Sequence, residues 1–474
     1  MEKELKFNMI LYLLISWVSF SYLIMPQKAG VSVPIFIVIQ LGCLFFIMPK
    51  KAPLFIFIPI IILSLNFFIS GNPIWRVSNF LVIIVLYGVM ALLSTDGFEC
   101  GGSSFQSIFG VLRNVFRPFT FFGVPAKWAM ESSDGDGHLL KRVGLGLVVS
   151  LLLLTLVVKS LASADVIFSM RVEGFLKGSF SFFSAGQMFK WLCGLAAGFY
   201  LFGLVYLTYQ PPGDDVELGL NIQFSDFVII NMALFSVLSA YAIFTVIQFK
   251  YLFAGGGELP YGLSYTYYAR RGFFELLFLS GFNIFAILLV VELTRDETGA
   301  GAELTKAFCC CLCLATFILL ASSFYRMWLY SGDSGLTRLR FLVFGFLIFE
   351  AVGLLFTLAY IIKPMFNITL IYMAIGFTYY LLLNIIPMDS IIAKSQIDRY
   401  LATGKGDIQY AASLSSDAAP QIARLLASGD PYLQDVAEEY FSEQRADYKK
   451  IPGWQKRNLS AEKCLRIAYE SRNL

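Results

Sequence analysis

Residues 260–276 read PYGLSYTYYARRGFFEL and stand between two strongly apolar segments, Phe227–Phe249 and Phe273–Leu293. Both flanking segments are long enough to cross a bilayer, which takes roughly 20 apolar residues in an α-helix. The stretch between them combines tyrosines, a pair of arginines and a glutamate, a mixture typical of the water–lipid boundary. The arrangement predicts two membrane-spanning helices joined by a polar loop.

The composition of the whole chain supports a membrane location. Hydrophobic residues make up 57% of the 474 residues and charged residues 15%, against about 25% charged in an ordinary soluble protein. The 47 phenylalanines exceed what one soluble core hides. The net charge of +3 is too small to indicate a nucleic-acid partner.

The chain offers little for catalysis or metal binding. The single histidine, His138, lies in a polar stretch, so a His-based metal site or a Ser-His pair is not expected. We therefore predict no cofactor, no metal and no catalytic residue, and favour a protein that is not an enzyme. Four cysteines lie close together in one apolar run, which indicates small-residue packing or, alternatively, lipidation or a soft-metal contact; they are Cys309, Cys310, Cys311 and Cys313.

The predicted fold is all-α and polytopic, with about 11–12 transmembrane helices, an interfacial amphipathic helix and a small soluble helical tail. Residues 164–187 are ambiguous between an interfacial segment, a re-entrant segment and a further span. A crossing there gives twelve spans and places the amino terminus and the tail together in the cytoplasm, as the positive-inside rule favours. The other eleven spans are Phe7–Met25, Val31–Met48, Pro53–Ser70, Val77–Ser94, Val143–Ala162, Trp191–Tyr209, Phe227–Phe249, Phe273–Leu293, Ala307–Phe324, Phe341–Tyr360 and Ile368–Ile386.

Shifts in composition divide the chain into four parts. Residues 1–94 hold four spans, and residues 95–142 form a cytoplasmic loop with an amphipathic helix over Phe105–Phe116. Residues 143–387 form the main membrane core. Residues 388–474 carry equal numbers of basic and acidic side chains, which argues against a membrane-surface anchor. This tail is either a packing cap on the membrane domain or a module that docks a protein partner.

Several patches of sequence are specific only as a set. They are Ser163–Asp165 with Phe168, Leu263–Leu276, Arg326–Arg340, Asn384–Tyr400, and the tail residues Tyr410, Leu414, Asp417 and Pro420. Together they resemble a widespread bacterial membrane family catalogued as a domain of unknown function (4153/4173-like), over roughly residues 144–420. The resemblance implies a multi-pass protein of the bacterial inner membrane and brings no established activity with it.

Four polar residues inside predicted spans are candidates for a ligand or ion pathway. Glu350 lies in the middle of the tenth span, where a carboxylate costs about 2.5–3.5 kcal/mol. It is either a proton- or cation-linked group or a protonated glutamate bonded to a neighbouring helix. Asn231, Asn283 and Asn384 lie in separate spans and either join helices by hydrogen bonds or converge with Glu350 on a polar path.

A second candidate site is a cluster at the cytoplasmic interface. It contains Tyr265, Tyr268, Arg270, Arg271, Glu275, Arg326, Arg338, Arg340, Asp389 and Arg399. These residues are either interfacial arginines with belt tyrosines or a site for an anion or a lipid headgroup. Asp389 and Arg399 are expected to cap helices or to form pairs there.

The leading functional hypothesis is binding or translocation of an ion, a small anion or a lipid headgroup through a polar midplane. The alternative is a membrane sensor or scaffold that does not transport and whose tail docks a regulatory partner. Membrane lipids are the expected surroundings in both cases, and the sequence leaves the oligomeric state open.

Overall fold

A computed structural model of the protein describes residues 3–25, 29–48, 53–94, 113–131, 185–210, 226–248, 273–294, 299–363, 366–450 and 453–470, together with residues 150, 157 and 165. Over these residues the chain is helical, with turns and short connections and without a β-strand. The predicted all-α membrane fold is thus confirmed.

Ten helices of the described chain are apolar enough to lie in a membrane. Eight of them are candidate spans by length and composition, and α2 and α3 are shorter apolar helices. They are α1 (Lys3–Ser19, continued by a π-helical turn at Phe20–Ile24), α2 (Ser32–Ile47), α3 (Phe57–Ile69), α4 (Pro73–Ser94), α6 (Ala185–Leu207), α7 (Phe227–Gln248), α8 (Phe273–Leu293), α9 (Ala300–Ser334), α10 (Arg338–Ile362) and α11 (Ile368–Ile385). The short helix α5 (Val124–Glu131) follows a 3-10 turn at Arg117–Phe121.

Helix α9 differs from its prediction. Its 35 residues span about 50 Å at 1.5 Å per residue, well beyond the roughly 30 Å of a bilayer core. The predicted polar loop from Arg326 to Arg340 is therefore mostly helix. It ends at Gly335, whose φ of 75° is the left-handed conformation that favours glycine after a helix. Only residues 335–337 connect α9 to α10.

The membrane helices form two packed bodies. In the first, α1–α4 and α6 enclose a core that includes Tyr12, Leu44, Ile60 and Phe202. In the second, α7–α10 enclose a core that includes Leu312 and other large aliphatic residues of the same four helices. Helix α11 packs against α10 of the second body and α3 of the first, so it joins the two.

The tail folds into a compact helical unit with its own apolar core. Its helices are α12 (Met388–Thr403), α13 (Ile408–Ala412), α14 (Ala419–Leu426), α15 (Pro431–Lys450) and α16 (Leu459–Glu470), with 3-10 turns at Ser416–Ala418 and Trp454–Lys456. The predicted short helices thus exist. Trp75 of α4 and Leu383 of α11 belong to the same apolar core, because the tail packs directly on the membrane helices.

The tail marks one end of the bundle, which we call the tail side. Where α2 begins, the backbone N–H of Val31 donates to the carbonyl of Arg457 at 2.9 Å. Between α3 and α4, the N–H of Gly71 donates to Asp417 at 2.9 Å. The tail therefore lies against the beginnings of α2 and α4.

The amino terminus lies at the opposite end. The ammonium of Lys6 sits 5.4 Å from the Trp128 ring centre, and Trp128 packs edge-on against Tyr206 of α6. Just beyond, the Tyr209 hydroxyl donates to the carbonyl of Ile47, the last residue of α2. The described start of α1 and the tail thus lie at opposite ends of the bundle, whereas the predicted twelve-span arrangement places both ends of the chain on one side.

Several predictions concern residues outside the described chain. They are the span over 143–162, the ambiguous segment 164–187 apart from residues 165 and 185–187, and most of the amphipathic helix over 105–116.

We predict that two glycine substitutions have opposite effects on thermal stability. A Cβ at Gly194 of α6 would lie 1.9 Å from Ser21 Oγ and 2.9 Å from the Trp17 carbonyl, whereas Gly42 of α2 faces open space. Gly194→Ala should cost about 1–3 kcal/mol by overpacking. Gly42→Ala should gain about 0.5–1 kcal/mol from helix propensity. Unfolding midpoints of the purified variants test this, and equal shifts would contradict the close approach of α1 and α6.

Candidate functional site

Glu350 lies at the centre of α10 and faces the core of the second body. Its exposed fraction is 4%. The hydroxyl of Ser280 on α8 donates to Glu350 Oε2 at 2.9 Å, and a Cβ at the neighbouring Gly281 would lie only 3.4 Å from Oε1. A Cβ there would make only an ordinary van der Waals contact, so α8 lies directly against the carboxyl group.

Asn283 continues the polar contacts by one turn of α8. Its Oδ1 accepts a hydrogen bond of 2.9 Å from the Tyr241 hydroxyl of α7. Its Nδ2 donates to Thr316 Oγ1 of α9 at 3.0 Å. Because residues three apart share a helix face, Ser280 and Asn283 link α7, α8, α9 and α10 into one line of polar groups. We call Tyr241, Ser280, Asn283, Thr316 and Glu350 the polar strip.

Two neighbours border the polar strip on the side of α11. The hydroxyls of Tyr372 and Thr357 are 2.7 Å apart, and a Cβ at Gly353 would lie 2.7 Å from the Tyr372 ring.

Cys309 and Cys313 are buried in the same body, whereas Cys311 is exposed on the outer face of α9. The adjacent cysteines thus point in different directions, as their helical spacing requires.

The other two predicted asparagines lie elsewhere. Asn231 joins the first turns of α7 and α9, where it accepts from Thr305 Oγ1 at 2.9 Å and donates to the Gly301 carbonyl at 3.3 Å. Asn384 joins α11 to the first body, since its Oδ1 accepts from Asn79 Nδ2 of α4 at 2.7 Å. Of the three asparagines, only Asn283 comes together with Glu350. Asn231 and Asn384 instead join helices by hydrogen bonds, which is the other alternative that the sequence left open.

The tail side holds a buried ion pair. Arg338 donates from Nε to Asp389 Oδ1 at 2.7 Å and from Nη2 to Oδ2 at 2.6 Å. Asp389 is fully buried, while the Arg338 side chain is 24% exposed. Asp389 Oδ2 also accepts from Ser415 Oγ at 2.5 Å, and the backbone N–H of Arg338 donates to the Tyr410 hydroxyl at 2.9 Å. The pair ties the first residue of α10 to the tail.

A further tail contact orients this pair. The hydroxyl of Tyr440 donates to the backbone carbonyl of Ser415 at 2.8 Å. Burial raises the pKa of the Tyr440 hydroxyl, and burial also raises the pKa of the Cys464 thiol to about 12. Both groups therefore stay neutral near pH 7 and act there as packing and hydrogen-bonding groups.

Two further arginines of the predicted interface cluster contact backbone carbonyls at the end of α9. The Arg340 guanidinium stacks 3.9 Å from the Tyr330 ring centre and donates to the Gly335 carbonyl. Arg399 donates to the Gly332 carbonyl. Arg326 is buried within α9, and Glu275 is exposed in the first turn of α8. The other four predicted members lie outside the described residues: Tyr265, Tyr268, Arg270 and Arg271.

Two contacts that sequence reasoning missed fasten the tail to the first body. Asp417 accepts from Ser70 Oγ at 2.6 Å and from the N–H of Gly71 at 2.9 Å. Asn458 donates from Nδ2 to the carbonyls of Phe67 and Ser70 at 2.9 and 2.7 Å. Asp417 and Asn458 each lie at the start of a tail helix, where the residue type predicts only that the side chain caps that helix. No local signal indicates a partner more than 300 residues away.

Comparisons with known proteins relate most of the chain to one protein family. A family model described as Domain of unknown function (DUF4153) matches residues 57–425. The match begins within α3 and ends within α14, so it includes the polar strip and the Arg338–Asp389 pair and starts earlier than the resemblance predicted. None of the curated proteins and none of the solved structures matches the chain.

We predict that breaking the buried pair loosens the tail. Asp389→Asn leaves Arg338 without its charged partner, and such a loss inside a protein costs about 3 kcal/mol. The matched control is Arg424→Gln in the exposed Arg424–Asp398 pair, for which about 0–1 kcal/mol is expected. Unfolding midpoints and the rate of proteolysis within 388–474 measure both effects. Equal behaviour of the two variants would show that the buried pair does not hold the tail.

Proposed function

The chain belongs to the family described as Domain of unknown function (DUF4153), and we propose that this integral membrane protein binds, and by doing so translocates or senses, a proton or a small cation at Glu350. The polar strip supplies the binding groups in the interior of the second body. The observation that supports the proposal is a carboxyl group, 4% exposed, at the centre of an apolar helix.

Energetic considerations favour a cation over an anion at this position. A carboxylate inside the membrane is stabilised when it takes up a proton, or when it pairs with a cation or a basic side chain. Within the described part of the chain, no lysine or arginine forms an ion pair with Glu350. The small-anion and lipid-headgroup versions of the hypothesis are less favourable, since the carboxyl group would repel both.

The hydrogen bonds of Ser280 support a proton in particular. Its hydroxyl carries one hydrogen, yet Oγ lies 2.8 Å from the Leu277 carbonyl and 2.9 Å from Glu350 Oε2. Both oxygens are acceptors when the carboxyl group is ionised. A proton on Glu350 lets Ser280 donate to Leu277 and accept from Glu350, so that each group is satisfied.

The sensor alternative has one observation in its favour. Glu350 and Arg338 lie on the same uninterrupted helix, α10, with their backbones about 18 Å apart at 1.5 Å per residue. A change of charge at Glu350 that moves α10 would act directly on the Arg338–Asp389 pair and hence on the tail. Ion binding would then be transmitted to a partner instead of leading to transport.

We predict that Glu350→Gln abolishes a ligand-dependent stabilisation. A ligand bound only by the folded protein raises its stability, by about 2.7 kcal/mol at a hundredfold excess over Kd. Purified wild type and Glu350→Gln are compared by thermal unfolding across pH and a panel of monovalent and divalent cations. The exposed carboxylate Glu303, in the first turn of α9 in the same body, provides the control variant Glu303→Gln.

The expected result is a shift of the midpoint with pH or with one cation in wild type and in Glu303→Gln, and no shift in Glu350→Gln. If neither pH nor any cation distinguishes wild type from Glu350→Gln, and the two are equally stable, Glu350 is a structural residue. The ion-binding proposal then fails, and the search moves to a partner of the tail.

The positions of the asparagines allow a second prediction. Asn283→Ala removes a neighbour of Ser280 and should weaken the apparent affinity for the cation roughly fivefold, as expected for about 1 kcal/mol from one hydrogen bond. Asn384→Ala breaks the link between α11 and the first body and should lower the unfolding midpoint without changing that affinity. Titrations of the midpoint against cation concentration separate the two. An equal loss of affinity in both variants would contradict the location of the site.

A further inference from the structure

An open apolar groove lies between α1 and α2 in the half of the bundle nearer the tail. Its volume is about 540 Å³, within the range of ligand pockets of about 300–1,000 Å³. Its lining offers no exposed polar surface. The lining residues are Leu14, Ile15, Val18, Ser19, Tyr22, Leu23, Ile35 and Ile39.

The tail contacts α2 next to the tail-side end of this groove. Ile35 of the lining follows Val31 by one helical turn, about 6 Å, and the N–H of Val31 donates to the carbonyl of Arg457. A Cβ at Gly30 would lie 2.6 Å from the backbone of Lys456 and Arg457. The turn at 453–457 thus touches the beginning of α2, at the tail-side end of the groove.

This part of the tail is basic and aromatic. We call Lys449, Lys450, Trp454, Lys456 and Arg457 the basic lip. Trp454 is 43% exposed, and both lysines at the end of α15 are exposed. The acidic partners Asp447 and Glu462 form solvent-accessible pairs with Lys450 and Arg457, and such exposed pairs contribute little and exchange readily.

We propose that the groove and the basic lip form one binding site for a single anionic phospholipid. The groove holds an acyl chain, and the basic lip holds the phosphate, with Trp454 at the depth of the headgroups. The two observations are independent, because one concerns the apolar shape of the groove and the other the charge of the lip. Both features lie beside the beginning of α2. The site is separate from the polar strip, and both of its halves lie outside residues 57–425 that the family model matches.

The overall charge balance of the tail does not oppose this. Twelve basic and twelve acidic residues cancel over 388–474, but a headgroup responds to the charges within a Debye length, about 10 Å at moderate salt. The basic lip concentrates four cations in nine positions. Two carboxylates, Asp447 and Glu462, pair with Lys450 and Arg457, so the basic charges of the lip still outnumber the acidic groups paired with them.

The headgroup half of the site is tested by lipid retention. The full-length protein is extracted from bilayers of equimolar phosphatidylglycerol and phosphatidylcholine, and native mass spectrometry counts the lipids it keeps. Wild type should retain phosphatidylglycerol in preference. Lys449→Gln, Lys450→Gln and Lys456→Gln together should lower that preference roughly tenfold, since each cation contributes to attraction by an anionic headgroup. The control replaces the exposed tail lysines Lys394, Lys405 and Lys463 with glutamine and should behave as wild type.

The groove half is tested by filling it. Val18→Trp occupies the groove and should reduce retention of both lipids, whereas Val38→Trp, on the exposed face of α2 outside the groove, should leave retention unchanged. The proposal is overturned if wild type shows no preference for the anionic lipid, or if Val18→Trp retains lipid as Val38→Trp does. Displacement of the lipid by soluble glycerol phosphate would also overturn it, because the headgroup alone would then account for binding.

Discussion

The structure depends on one constraint, that polar groups within the apolar layer must find their partners inside the protein. Asn384 satisfies it by joining Asn79 of the first body, and Asn283 by joining Tyr241 and Thr316 of the second. Each contact is modest, on the order of 1 kcal/mol or less, but each fixes which helix faces lie together. Glu350 stands apart because its partner is a lone serine hydroxyl, and that is why it is the best candidate for a group that binds something else.

The same constraint acts differently at the tail side, where water is near. Arg338 and Asp389 form a bidentate pair whose acidic half is fully buried, so each charge depends on the other. Asp417 instead receives neutral donors from the α3–α4 turn. Together these two carboxylates hold the tail against both membrane bodies. Among the described arginines of the predicted interface cluster, Arg338, Arg340 and Arg399 contact the protein's own groups, and we propose the basic lip as the surface that binds an anionic lipid.

Local sequence predicted the helices well where one physical signal dominates. The predicted spans for α7 and α8 agree with the structure to within one residue, because an uninterrupted apolar run sets both ends. Helix α9 was predicted too short, since its polar ends at Ala300 and Ser334 resemble loops in composition although they are helical. The polar strip was predicted in part: Glu350 and Asn283 are conspicuous as polar residues in apolar runs, whereas Ser280 is an ordinary residue until α10 lies beside it.

The sequence by itself determined that this is a helical membrane protein, where most of its spans lie, and which polar residues are costly to bury. These properties follow from the composition and length of single segments. Only the tertiary structure decided which costly residues share a site, because Asn384 and Asn79 are 305 positions apart and no local signal relates them. It also decided that the start of α1 and the tail lie at opposite ends of the bundle, since contacts between residues far apart in the chain, such as Lys6 with Trp128 and Val31 with Arg457, set their places.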